Sequence, residues 1–110
     1  MNREIKFRAW HSEKKKWVYF TLGDLAFSNP EKWTFVDIEN ANQYTGLKDK
    51  NGVEIYEGDI LKRSHLNYVV EFDEATFGVN MKNYGWKSLD RFMDLGEVIG
   101  NIYENKELLK

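Results

Sequence analysis

Apolar and polar residues alternate from the start of the chain. In Glu4-Ile5-Lys6-Phe7-Arg8-Ala9-Trp10 the period is two, so Ile5, Phe7 and Ala9 share one face and Lys6, Arg8 and Trp10 the other. This predicts a strand. His11 to Lys15 turns the chain, and Trp17-Val18-Tyr19-Phe20, rich in β-branched and aromatic types, predicts an antiparallel return that completes a hairpin. Residues 21–45 are the least legible. Gly23 and Ser28-Asn29-Pro30 break the chain around Asp24-Leu25-Ala26-Phe27, and only Trp33-Thr34-Phe35-Val36-Asp37-Ile38 has strand character.

The second half reads more clearly. Asn51-Gly52 predicts a type I′ turn, with Val53, Ile55 and Tyr56 on the outgoing strand, and Glu57-Gly58-Asp59 a second reversal before Ile60-Leu61-Lys62. Ser64 to Asn67 separates that strand from Tyr68-Val69-Val70-Glu71-Phe72-Asp73, and Phe77-Gly78-Val79-Asn80-Met81 alternates again. Leu89, Phe92 and Met93 fall at i, i+3 and i+4 between Ser88 and Gly96, which predicts a short helix over 88–95. Glu97 to Glu104 returns to strand, with Gly100 a candidate bulge or close backbone approach, and Asn105 to Lys110 reads as a loose polar tail. Short strands at this spacing predict a mainly β chain, a small antiparallel barrel or sandwich.

Length and composition narrow the reading. A chain of 110 residues, 42% hydrophobic and 31% charged with one proline, is expected to fold as one domain. The absence of cysteine removes disulfides and thiolate sites and points to a reducing compartment, with the cytoplasm as the expected address. No apolar run approaches the ~20 residues of a membrane span, and no signal-peptide block opens the chain, so no membrane partner is expected. Net charge is −2, divided unevenly. Residues 1–20 carry six basic groups (Arg3, Lys6, Arg8, Lys14, Lys15 and Lys16) against Glu4 and Glu13, a balance of +4, which leaves −6 for the rest. That acidic remainder disfavours nucleic-acid binding, while leaving a local surface of Lys6, Arg8, Trp10, Lys14, Lys15, Lys16 and Trp17 as the candidate interaction site.

The block Gln43-Tyr44-Thr45-Gly46-Leu47-Lys48-Asp49-Lys50-Asn51-Gly52-Val53-Glu54-Ile55-Tyr56-Glu57-Gly58-Asp59-Ile60 carries a resemblance. With Ile5 to Trp10 before it and Glu97 to Asn105 after it, it resembles the YopX protein family of phages and prophages. Its motif residues here are Tyr44, Thr45, Gly46, Leu47, Asp49, Gly52, Ile55, Tyr56, Gly58 and Asp59. The resemblance implies an SH3-like barrel over residues 44–104, with residues 1–40 added as a hairpin and variable segment, in a phage accessory protein without an assigned mechanism. Turn chemistry gives the motif a structural meaning: Gly46, Gly52 and Gly58 would mark three reversals, with Ile55 and Ile60 pointing into the barrel.

Chemistry is sparse. His11 and His65 both fall in predicted turns, no metal-ligand pair or phosphate loop is present, and no cofactor is expected. The sequence therefore favours a non-enzymatic module that binds a host or phage protein or associates with itself. Nucleic-acid binding through the basic hairpin ranks second. A metal-dependent hydrolase built on Asp49, Glu54 and Asp59, with Glu57 along the same edge, ranks third.

Overall fold

The first hairpin follows directly from the alternation. In the computed structural model, which describes residues 4–73, 75–81, 85–92 and 94–109, β1 (Phe7–His11) pairs antiparallel with β2 (Lys16–Phe20). Phe7 faces Phe20 across the ladder, Arg8 faces Tyr19 and Trp10 faces Trp17, so the two predicted faces stay separate. The hairpin joins β3 (Asn42–Lys48) and β4 (Glu54–Tyr56) in a four-stranded sheet ordered β2-β1-β3-β4. Strands β5 (Asp59–Arg63), β6 (Leu66–Val69) and β10 (Glu97–Asn101) form a second sheet ordered β10-β5-β6. A third, ordered β7-β8-β9, holds β7 (Glu71–Asp73), β8 (Thr76–Met81) and β9 (Gly85–Ser88). The result is the expected mainly β chain with a small barrel-like body after an N-terminal hairpin.

One core cluster fills that body. Ile55, Leu61, Val70, Phe77, Val79 and Leu89 are buried together, with Leu47, Tyr68, Phe92 and Val98 packed around them. Burial of such side chains from several strands is the main force closing the sheets on one another. Ile60, beside Leu61 on β5 and so facing the other way, is fully buried outside this cluster, so only Ile55 of the expected isoleucine pair points into it. The predicted strand Tyr68–Asp73 is two strands in two sheets. Val70 is the corner: its amide donates to Asp59 and its carbonyl accepts from Gly58, which takes it out of both ladders while burying its side chain.

Several local readings are corrected. The α-helix is α1 (Leu22–Phe27), in the segment that gave no clear signal, where Thr21 and Asp24 form a reciprocal capping box. Over 88–95 only Leu89–Arg91 forms a single 3₁₀ turn; Ser88 makes no cap, Phe92 is extended and Met93 lies outside the described residues. Trp33–Ile38 is not a strand. Asn29 caps a 3₁₀ turn over Pro30–Trp33, a second turn spans Ile38–Asn40, and a lone bridge from His11 to Val36 is the only ladder contact there. Turn chemistry at Asn29-Pro30 outweighs the β propensity that follows it.

The β3–β4 connection is not type I′. Gly52 alone has a positive φ, 82°, its amide bonds to Asp49, and Asp49 bonds to Val53, which is a three-residue loop closed by a left-handed glycine. Gly58 (φ 88°) marks a true reversal, whereas Gly46 lies at an irregularity inside β3. Gly100 is both things expected of it: the β10–β5 register shifts there, and a Cβ would lie 2.5 Å from the Asn105 side chain. The tail is fastened, since Lys106–Leu109 forms a 3₁₀ turn whose Leu108 carbonyl accepts from Asn67 Nδ2 at 2.8 Å.

Candidate functional site

The hairpin has two faces, and each builds a surface. On the inner face Arg8 enters the body between aromatic rings: its guanidinium carbon lies 4.4 Å from the Trp17 ring centre and 4.9 Å from that of Tyr56. Nη2 meets Asp59 Oδ1 at 2.8 Å, Nε donates to Asn42 Oδ1, and Asn42 Nδ2 donates to Tyr103 Oη at 2.9 Å. Arg8 is 5% exposed and Asp59 2%. Trp17 donates its indole N–H to Glu104 Oε1 at 3.0 Å and packs edge-on against Trp10 and Tyr103. A cleft of about 370 Å³ opens above this stack, with Tyr19, Glu54, Asn101 and Glu104 among its walls.

Most of the charge in this cleft is neutralised within the chain. Lys6 bridges Glu54 at 2.5 Å and Glu4 at 3.3 Å, and Glu54 is the main reason its ammonium holds its proton well above the ordinary range. Burial pushes the Asp59 carboxyl upward, against the pull of the Arg8 charge and the Tyr56 N–H. Burial likewise pushes the Tyr56 hydroxyl up to about 12, and that hydroxyl has no hydrogen-bond partner among the described residues.

The candidate surface therefore divides. Arg8, Trp10 and Trp17 come together as a clasp that fastens the hairpin to the barrel, and Lys6 is drawn to Glu54. Lys14, Lys15 and Lys16 stand exposed at the hairpin turn, and Arg3 lies outside the described residues. His11 is not an exposed turn residue: it ends β1, is buried, and accepts the Lys14 N–H at Nδ1.

The outer face is apolar. Phe7 and Phe20 stack at 5.6 Å and form the floor of a groove of about 140 Å³ walled by Leu22 and Leu25 of α1 and by Ile38 and Ala41. Trp33 packs edge-on against Phe20 at 5.2 Å. No residue of α1 is buried, Phe27 at its end is 91% exposed, and Leu22 at its start is half-exposed. Helices of globular proteins ordinarily bury an apolar stripe, whereas α1 turns Leu22 and the half-buried Leu25 to this groove and leaves Phe27 in solvent.

The model of the YopX protein family matches residues 6–110, nearly the whole chain. The chain belongs to the YopX family. No curated protein matches it. Among solved structures, the crystal structure of protein EF1440 from Enterococcus faecalis is similar at 25% identity and a TM-score of 0.62, covering 99% of this chain and 100% of that one.

In this YopX chain the family-motif residues hold the fold. Asp49 Oδ1 accepts the N–H groups of Asn51 and Val53, and Oδ2 that of Val98, which ties the loop to β10. Burial works to raise its carboxyl, yet the three backbone donors hold it below the usual value. Thr45 Oγ1 donates to the Ile55 carbonyl at 2.7 Å, and Tyr44 packs on Tyr56. Asp49, Glu54 and Asp59 thus serve separate partners, although Glu54 and Asp59 both line the cleft. No group of three or more His, Asp or Glu able to hold a metal occurs among the described residues. Also among them, no helix is long and apolar enough to cross a membrane. Sequence reasoning missed the groove residues Phe20, Leu22, Leu25 and Ile38, although Thr21-x-x-Asp24 before an apolar run is a helix-start signal that marks α1.

Proposed function

We propose that this protein is a non-catalytic protein-binding module that engages its partner through the outer face of the hairpin. The observation that carries this reading is the apolar groove over Phe7 and Phe20, walled by Leu22 and Leu25 of a helix whose Phe27 is 91% exposed. Exposed aromatic and aliphatic groups beside a preformed depression are the usual anchors of a protein interface. The commitment of Asp49, Glu54 and Asp59 to structural partners agrees with a module without a reaction centre. Nucleic-acid binding has less support, because the charges of Lys6 and Arg8 are already paired within the chain. A phage accessory role in the bacterial cytoplasm is the setting that goes with this reading.

The test is a photo-crosslinking residue placed at Phe27 or Leu22, with His65 as an exposed control on the barrel, in bacterial cells making the protein. Discrete adducts from the groove positions, lost on adding Leu25→Asp, are expected. Equal labelling at all three positions would remove the proposal.

A further inference from the structure

We infer that the groove takes an apolar side chain presented by a partner segment flanked by lysine or arginine. This rests on the protein-binding reading above and adds the chemistry of the partner. The room available, about 140 Å³, is the space of roughly five waters at ~30 Å³ each, which suits a single large apolar anchor rather than a whole packed element.

Charge supplies the flanks. Residues 21–41, which build one side of the groove, contain Asp24, Glu31, Asp37 and Glu39 against Lys32 alone, a balance of −3. Asp24, whose carboxylate accepts the Thr21 N–H, precedes Leu25 on α1, and Glu39 follows Ile38, so each wall of the groove has an exposed acidic residue next to it in the chain. Lys32 sits 5.4 Å over the Trp33 ring. The basic triplet Lys14-Lys15-Lys16 is at the far end of β1–β2 from Phe7 and Phe20, a strand length of roughly 13–16 Å at ~3.3 Å per residue. That exceeds the ~8–10 Å screening length at physiological salt, so the triplet leaves the acidic frame of the groove uncompensated. A second copy of this chain fits poorly as occupant: its basic turn, His11 to Lys15, carries no apolar side chain to insert.

Fluorescence anisotropy with the full chain tests this, using three labelled peptides with one Leu-Phe anchor flanked by lysine, serine or glutamate. The expected result is that the lysine-flanked peptide binds about tenfold or more tightly than the glutamate-flanked one, with the gap narrowing as salt rises. Glu39→Lys should shrink that gap, and Leu25→Asp, at a half-buried position of a helix with no fully buried residue, should abolish binding while circular dichroism stays unchanged. Equal affinity for all three peptides, sensitive to Leu25→Asp, would overturn the charge inference and leave the docking groove standing. Binding of none, or binding indifferent to Leu25→Asp, would overturn both.

Discussion

Two buried aspartates show how the same residue type can serve opposite electrostatic ends. Asp59 has one cation for a partner, so removing Arg8 strands a charge in the interior. Arg8→Ala should cost about 3–5 kcal/mol in urea unfolding at neutral pH. Replacing the pair by neutral residues of similar size, Arg8→Met with Asp59→Asn so that the Tyr56 N–H keeps an acceptor, should cost less than the single change, because no ion is left unpaired. Asp49 has three N–H donors instead. Its folded carboxyl binds a proton less readily than the unfolded one, so its contribution is complete above the ordinary 3.8 and drains away as pH falls through the lower folded value. Asp59, raised by burial, acts the other way and becomes less favourable as pH climbs from 3.8 through its raised value. Asp49→Asn should therefore lose about 1.5–3 kcal/mol at pH 7 and show a flatter acid limb below about pH 4 in pH-dependent urea melts. An acid limb identical to that of the parent would show that Asp49 is not the titrating support of the loop.

At the scale of elements, tight turns differ in what they tolerate. Gly52 and Gly96 both have positive φ, yet a Cβ at Gly52 would meet open space, while one at Gly96 would lie 2.1 Å from the Lys62 carbonyl oxygen. Gly52→Ala should cost only the left-handed strain of about 1–2 kcal/mol, whereas Gly96→Ala adds a backbone clash and should be clearly the worse in denaturant midpoints. Equal costs would mean that β5 yields at Lys62. The same distinction explains what could be read in advance. Alternation at Ile5 to Trp10 exposed β1 and its two faces, and the Gly100 irregularity was visible because a lone glycine in a strand has few other meanings. The helical spacing of Leu89 and Phe92 predicts a helix over 88–95, yet Leu89 sits in the barrel core and Phe92 packs against it from an extended backbone. Residues 21–41 were obscure for a different reason: their turns satisfy themselves through Thr21, Asn29 and Asp24, and almost no periodic burial imprints a pattern on the sequence. The clasp residues Arg8 and Trp17 were legible as a pair of interest, but nothing in their spacing revealed Asp59, 51 positions from Arg8, as the counterion.

Across the whole molecule, stability is concentrated in the barrel, and the candidate binding face lies where it is lowest. Strands β5, β8 and β10 carry the buried cluster or its border, so their amides should exchange only through global unfolding. Residues 22–40 contain α1 and two 3₁₀ turns with no buried residue in any of them, held by local caps and by the edge of the hairpin. Opening such a segment uncovers the ring of Phe20 and its contacts with Trp33, Leu22 and Leu25, but leaves the barrel cluster covered, so its free-energy cost is well below that of global unfolding. Native-state hydrogen exchange should then show amides in residues 22–40 opening several kcal/mol below those of β5, with a weaker dependence on denaturant than β5 because less surface is newly exposed. A partner seated on Phe7, Phe20 and Leu25 would convert this weak segment into a buried one. Protection should rise selectively over residues 22–40, leaving β5 and β10 changed only by the global stabilisation that any ligand of the folded state confers. Uniformly high protection of residues 22–40 in the free protein would mean that the segment is already fully packed, and the case for an open docking face would fail with it.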